Sequence, residues 1–97
     1  MGTKYTYIYI ITDGQDYKVG ISKLPDKRIK NLQTGNSKIL TIVEVYKVEE
    51  SLVFKLEKQC HRRIQSYYPK RGEWFTQASQ WHVQVLVEEV LDRYLIQ

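Results

Sequence analysis

Tyr5-Thr6-Tyr7-Ile8-Tyr9-Ile10-Ile11-Thr12, then Asp13-Gly14-Gln15-Asp16, then Tyr17-Lys18-Val19-Gly20-Ile21, is the stretch on which the fold turns. Residues 5–12 are almost entirely β-branched or aromatic, which favours a pleated strand. The Asp-Gly tetrapeptide supplies turn chemistry, and Tyr17 to Ile21 reads as the returning strand. An N-terminal hairpin is therefore expected. Tyr5, Tyr7 and Tyr9 alternate and so share one face of it. Lys18 on the neighbouring strand is close enough in this scheme to approach one of them. An aromatic strip of this kind is usually core or a cross-strand ladder. A phenol beside an ammonium would be a better general base.

Working outward, Pro25 suits the first turn of a helix and Gly35-Asn36 stops it. Leu24, Arg28 and Leu32 fall on one column, four residues apart. Ile39 to Val48 alternates like a third strand. Glu49-Glu50-Ser51 opens a long helix with an apolar stripe of Val53, Leu56, Cys60, Ile64 and Tyr67. Pro69 to Gly72 breaks that helix, and Glu73-Trp74-Phe75 reads as a brief fourth strand. From Ser79 a last amphipathic helix turns Val83, Leu86, Val87, Val90, Leu91 and Tyr94 to its buried side. The order β-β-α-β-α-β-α points to an α+β fold, a small sheet flanked by helices, with residues 1–97 as one domain.

Composition narrows the function classes. No apolar run approaches the about 20 residues that span a bilayer, so no membrane role is expected. A single cysteine, Cys60, excludes an internal disulfide and is compatible with a reducing cytoplasm, the compartment expected. One cysteine and two separated histidines cannot build a structural zinc site. Fifteen Lys and Arg against eleven Asp and Glu leave a net charge of +4, which suits a polyanionic partner without requiring one.

Two charges sit where a structural pattern would place leucine. Arg28 interrupts the Leu24–Leu32 column, and Glu57 borders the stripe of the second helix. Such charges cost free energy unless paired, hydrogen-bonded or metal-bound. The plainer reading is a structural ion pair, or two side chains snorkelling to solvent. Tyr, Lys, Arg and Glu together would equally serve proton abstraction, phosphate neutralisation and metal binding.

These elements resemble, in order and spacing, the GIY-YIG nuclease superfamily. Its first motif appears as Tyr7-Ile8-Tyr9, with Tyr7 in the usual glycine place. The second appears as Lys18-Val19-Gly20-Ile21-Ser22, with Lys18 in the usual tyrosine place. The run Lys27-Arg28-Ile29-Lys30-Asn31-Leu32-Gln33-Thr34-Gly35-Asn36, Leu56-Glu57 followed by His61, and Gly72-Glu73-Trp74-Phe75 match a branch of small phage- and bacterium-type domains. The resemblance covers about residues 5 to 76.

The resemblance implies a small central, mainly antiparallel sheet of three to four strands flanked by three helices. It implies a metal-dependent endonuclease, with DNA the expected substrate and one Mg²⁺ or Mn²⁺ held by Glu57. Arg28 maps to the arginine that contacts the scissile phosphate, and Tyr9 to the tyrosine that activates or orients the attacking water. Lys18 is the main departure, and it leaves the assignment of the base less secure. His61 matches a position typical of the branch, as a catalytic neighbour, a phosphate contact or a helix-surface residue. Glu73 is expected to cap or brace the short strand.

Nucleic-acid contacts are expected from Lys23, Lys27 and Lys30 on the first helix and from Arg62, Arg63, Lys70 and Arg71 near the end of the second. A solvated charged face is their ordinary fate. No base-reading motif is present, so the domain is expected either to have little sequence specificity, to recognise nucleic-acid shape, or to gain specificity through self-association as a homodimer or through a partner. A catalytically silent domain that binds nucleic acid or a protein through the same surface is the alternative.

Overall fold

In the computed structural model, which describes residues 2–96, the hairpin forms as β1 (Tyr5–Thr12) and β2 (Tyr17–Ser22). Its turn is built by side chains. Asp13 Oδ1 accepts from the backbone N–H of Gln15 at 2.9 Å and of Asp16 at 2.7 Å, and Thr12 Oγ1 accepts from Gly14 N–H. Then follow α1 (Pro25–Gln33), β3 (Thr41–Glu49), a single 3₁₀ turn at Glu50–Leu52, and α2 (Val53–Gln65). The two-residue strands β4 (Lys70–Arg71) and β5 (Trp74–Phe75) precede α3 (Gln80–Leu91). All strand pairings are antiparallel, and the sheet order is β3-β1-β2-β5-β4.

The α+β architecture is as expected, with five strands rather than three to four. The extra strand arises where a break was read. Gly72, with φ of 59°, lets Lys70-Arg71 fold back on Trp74-Phe75. Strand alternation then gives the sheet two distinct faces. Ile8, Ile10, Val19, Tyr46, Val48 and Phe75 join the core with Val53, Leu56, Cys60 and Ile64 of α2 and Val83, Leu86, Val87 and Leu91 of α3. Each fully buried aliphatic or phenyl side chain there contributes about 1.5–3 kcal/mol. Ser79 caps α3, its Oγ accepting from His82 N–H.

The opposite face carries Tyr7, Tyr9, Ile11, Lys18 and Gly20, in the register Tyr7↔Ser22, Tyr9↔Gly20 and Ile11↔Lys18. Helix α1 lies over this side, touching β2 and β3, yet buries none of its own residues. The expected Leu24–Arg28–Leu32 column is therefore corrected. Leu24 is 61% exposed and Arg28 is exposed, while Ile29, Leu32 and Gln33 are the half-buried residues. The spacing was helical, but the buried direction lay about a quarter turn away.

What secures the end of α1 is Gln33. Its Nε2 donates to Lys38 O at 2.8 Å and Asn36 O at 3.3 Å, and its Oε1 accepts from Leu40 N–H at 2.8 Å. That clamp holds residues 36–40 as a loop, so β3 starts at Thr41 and Ile39 is left exposed. Tyr67, read as the end of the α2 stripe, lies past the helix and is exposed, because the chain turns at Ser66.

Candidate active site

The outer side of β2 is where the sequence's candidate residues converge. Strand β5 pairs with β2 only at Tyr17↔Phe75, so beyond Tyr17 this edge is free of strand partners. Helix α2 closes on it instead. His61 Nε2 lies 2.8 Å from Val19 O, and its Nδ1 lies 2.9 Å from Lys70 Nζ. An ammonium can only donate, so Nδ1 accepts and Nε2–H donates to the carbonyl. The imidazole is thus fixed as one neutral tautomer with both nitrogens engaged. It acts here as a clamp between helix and strand, which removes the helix-surface reading.

Burial pushes the His61 pKa below the ordinary 6.5, and the neighbouring Lys70 and Lys18 charges act the same way, against the Val19 hydrogen bond and the Glu57 charge. The unfolded chain therefore binds more protons in the window just below pH 6.5, and stability falls as pH drops through it. Thermal melts from pH 7.5 down to 5.5 should show a larger drop in melting temperature for the wild type than for His61→Gln. Equal losses in the two proteins would remove His61 as the cause.

Glu57 precedes His61 by one helical turn on the same column of α2, and so looks toward the same strand edge. It is half-buried, and among the described residues no lysine or arginine lies in an ion pair with it. Cys60 beside it is no nucleophile. Burial, aided by the Glu57 charge, pushes its thiol up to about 12, and the residue is fully inside the core.

On the sheet face above this edge, Tyr9 is 3% exposed and its ring lies across Gly20. A Cβ at residue 20 would stand 2.5 Å from Tyr9 Cζ and closer still to Oη. Glycine is required there by space, because the phenol occupies the place a side chain would take. The sequence quotes Gly20 within a motif but does not reveal this reason.

Lys18 shares the face of Tyr9, yet its ammonium is bound elsewhere. Nζ meets Glu73 Oε2 at 2.7 Å, with the Lys18 side chain buried and the carboxylate largely exposed. Lys18 is thus one half of a Lys18–Glu73 pair. Glu73, just before β5, ties that short strand to β2 as the partner of a buried cation, which would be costly left alone. The Lys18 hydrogen bond and charge hold the Glu73 carboxyl below the usual range, and Lys70 and Arg28 add to that lowering. Because the carboxylate is exposed, solvent screens much of this interaction. Arg28 is thereby also placed in the same neighbourhood.

Arg28 reaches the site from α1. Ser22 Oγ accepts from Leu24 N–H at 3.0 Å, which ties the end of β2 to the start of the helix. Ser22, Arg28 and Asn31 line a shallow cavity of about 210 Å³ together with Lys23 and Lys27. A larger groove of about 590 Å³ shares Lys23, Leu24 and Lys27 with it and extends to Lys30 and the sheet residues Tyr7 and Val45.

The remaining basic residues divide. Lys70 belongs to the site through His61. Arg63 is paired with Glu89 at 2.9 Å and lies over the Tyr67 ring, so its charge is spent on α3. Arg71 lines a separate cavity with Gln15, Asp16, Thr76 and Gln77 at the turn end of the hairpin. Arg62 is exposed on α2.

Among the described residues no group of three or more His, Cys, Asp or Glu side chains gathers as a metal cage, and no helix is long and apolar enough to cross a membrane. Comparison with curated proteins and with solved structures gives no match. The family model described as the T5orf172 domain matches residues 6–94, which takes in all three helices and all of the sheet except Tyr5. The chain belongs to the T5orf172 domain family.

Proposed function

We propose that this chain is a metal-dependent nuclease of the GIY-YIG type that hydrolyses phosphodiester bonds in DNA. The observation that carries the reading is the phenol of Tyr9 laid across Gly20, at a strand edge that α2 meets one turn from Glu57.

The donor set fits one hard divalent cation. Magnesium or manganese takes one or two carboxylates and keeps waters or phosphate oxygens in its other positions, and Glu57 is a half-buried carboxylate outside any ion pair among the described residues. Bound there, such an ion would neutralise charge at phosphorus and promote ionisation of water. The chain's own groups do the rest. Tyr9, as its phenolate, would take the proton of the attacking water and become the neutral phenol, or as the phenol would orient that water. Arg28 offers a planar fork to the non-bridging oxygens of the scissile phosphate. Lys18, oriented by Glu73, adds positive charge on the same face. His61, with both nitrogens taken, is a positioning residue that fixes the helix bearing Glu57.

One observation favours binding without cleavage. Lys18 Nζ is engaged by Glu73, so its support for a Tyr9 phenolate is diluted. Labelled single-stranded, duplex and branched DNA with Mg²⁺ or Mn²⁺ separates the two readings. Cleavage that a chelator stops and that Arg28→Ala slows by about 10²–10³-fold supports the nuclease. Salt-dependent binding with no cleavage on any substrate supports the silent domain.

A further inference from the structure

We infer that the groove beside α1 holds a single strand of DNA, with one unstacked base seated on the ring of Tyr7. The inference rests on the proposed nuclease reading and adds the form of its substrate. The groove of about 590 Å³ presents Lys23, Lys27 and Lys30 against one carboxylate, Asp26, above a floor of Tyr7 and Val45. Lys23 shares part of its charge with Glu50 at 3.4 Å, an exposed pair that salt weakens. Lys47, opposite Tyr7 on β3, adds a cation at the rim, its Nζ over the Tyr5 ring.

Spacing decides how a strand would lie. Lys27 and Lys30 lie three residues apart on one side of α1, about 4.5 Å along its axis, and Lys23 stands before the helix, just after β2, rather than on it. At about 3.4 Å of rise per nucleotide of one strand, the two helical lysines suit neighbouring phosphates, and Lys23 adds a third contact at the β2 end. The track leads to the catalytic residues, because Lys23 and Lys27 also line the cavity that contains Arg28. Tyr7 is two residues from Tyr9 on the same sheet face, about 7 Å away along the strand. A base on Tyr7 would thus lie a nucleotide or two from the phosphate to be cut.

An aromatic floor is what separates a single strand from a duplex. Paired bases are stacked on one another and cannot lie on a protein ring, whereas an unpaired base can, with lysines holding its flanking phosphates. A duplex site would need the cations alone. Tyr7 stands where the resemblance places glycine, so the floor is a property of this chain.

The test is fluorescence anisotropy of a labelled 12-nucleotide single strand and of the matching duplex, on the full chain carrying Glu57→Gln so that DNA stays intact. The single strand should bind more tightly than the duplex. Tyr7→Ala should weaken single-strand binding by about 5- to 100-fold and leave the duplex unchanged, while Tyr7→Phe retains it. Replacing Lys27 and Lys30 with Ala, which leaves the floor intact, should lower the salt dependence for the single strand. Equal weakening of both forms by Tyr7→Ala, a duplex bound as tightly as the single strand, or no binding at low salt would overturn the inference. Glu57-dependent cleavage with no Tyr7 effect removes this inference alone. Tyr7-dependent single-strand binding by a chain that never cuts leaves it standing and removes the nuclease.

Discussion

Glu57→Gln should lower metal-dependent cleavage by about 10³-fold or more while the protein melts as the wild type does. A bound ion supplies several kcal/mol of charge stabilisation at the phosphate, and each 1.36 kcal/mol is worth about tenfold in rate. The neutral amide keeps the shape of the side chain but is a far poorer ligand for a hard cation. Stability should hold, within about 0.5 kcal/mol, because Glu57 is only half-buried and, among the described residues, in no ion pair whose partner would be orphaned. Cleavage rates, a Mn²⁺ titration by calorimetry and a thermal melt read the three parts separately. A variant that melts early yet cuts at the wild-type rate would mean that Glu57 braces α2 and holds no metal.

Gly20→Ala is the second large effect, and it should strike fold and activity together. The new methyl would overlap the Tyr9 ring, which is 3% exposed and has little space to retreat. Overpacking of this kind costs about 1–3 kcal/mol. Moving the phenol off its position should also forfeit the about 10²–10⁴-fold that a placed proton acceptor contributes. The cause can be isolated by a double-mutant cycle. In a Tyr9→Ala background the ring is gone, so the destabilisation by Gly20→Ala should largely vanish. An equal cost in both backgrounds would place the strain in the β2 backbone instead.

The two effects fall on residues of different legibility. The hairpin could be read from Tyr5 to Ile21 because β-branched and aromatic residues flank an Asp-Gly turn, and every one of those signals is local. Ser79 and the 83–91 spacing of α3 were local too. The faces of α1 were not. Nine residues give barely two and a half turns, and Leu24 and Ile29 offer competing apolar directions that only the position of the sheet resolves. Gln33 was read as part of a motif, whereas its bonds to Asn36, Lys38 and Leu40 are what hold the loop.

At the site, Tyr9, Arg28, Glu57 and His61 come from the resemblance, and the structure sets Tyr9 against Gly20 and His61 against Val19, both on β2. The partner of Lys18 lies 55 residues away, and no periodicity connects two such positions. Lys70 was taken as a surface phosphate contact, yet it faces the ring of His61. Both were hidden because β4 and β5 are only two residues long each. So short a hairpin has too little sequence for a strand pattern, although it delivers Glu73 and Lys70 to the pocket.

The open stretch of β2 has a consequence for how copies of this chain meet one another in solution. An unpaired strand edge is a template for edge-to-edge annealing, the first step toward aggregation. Here the Val19 carbonyl that an intruding strand would seek is already taken by His61, and on the far edge Ile96 N–H occupies Lys47 O. The access that a substrate needs is therefore kept without leaving an adhesive border, and one imidazole serves both ends.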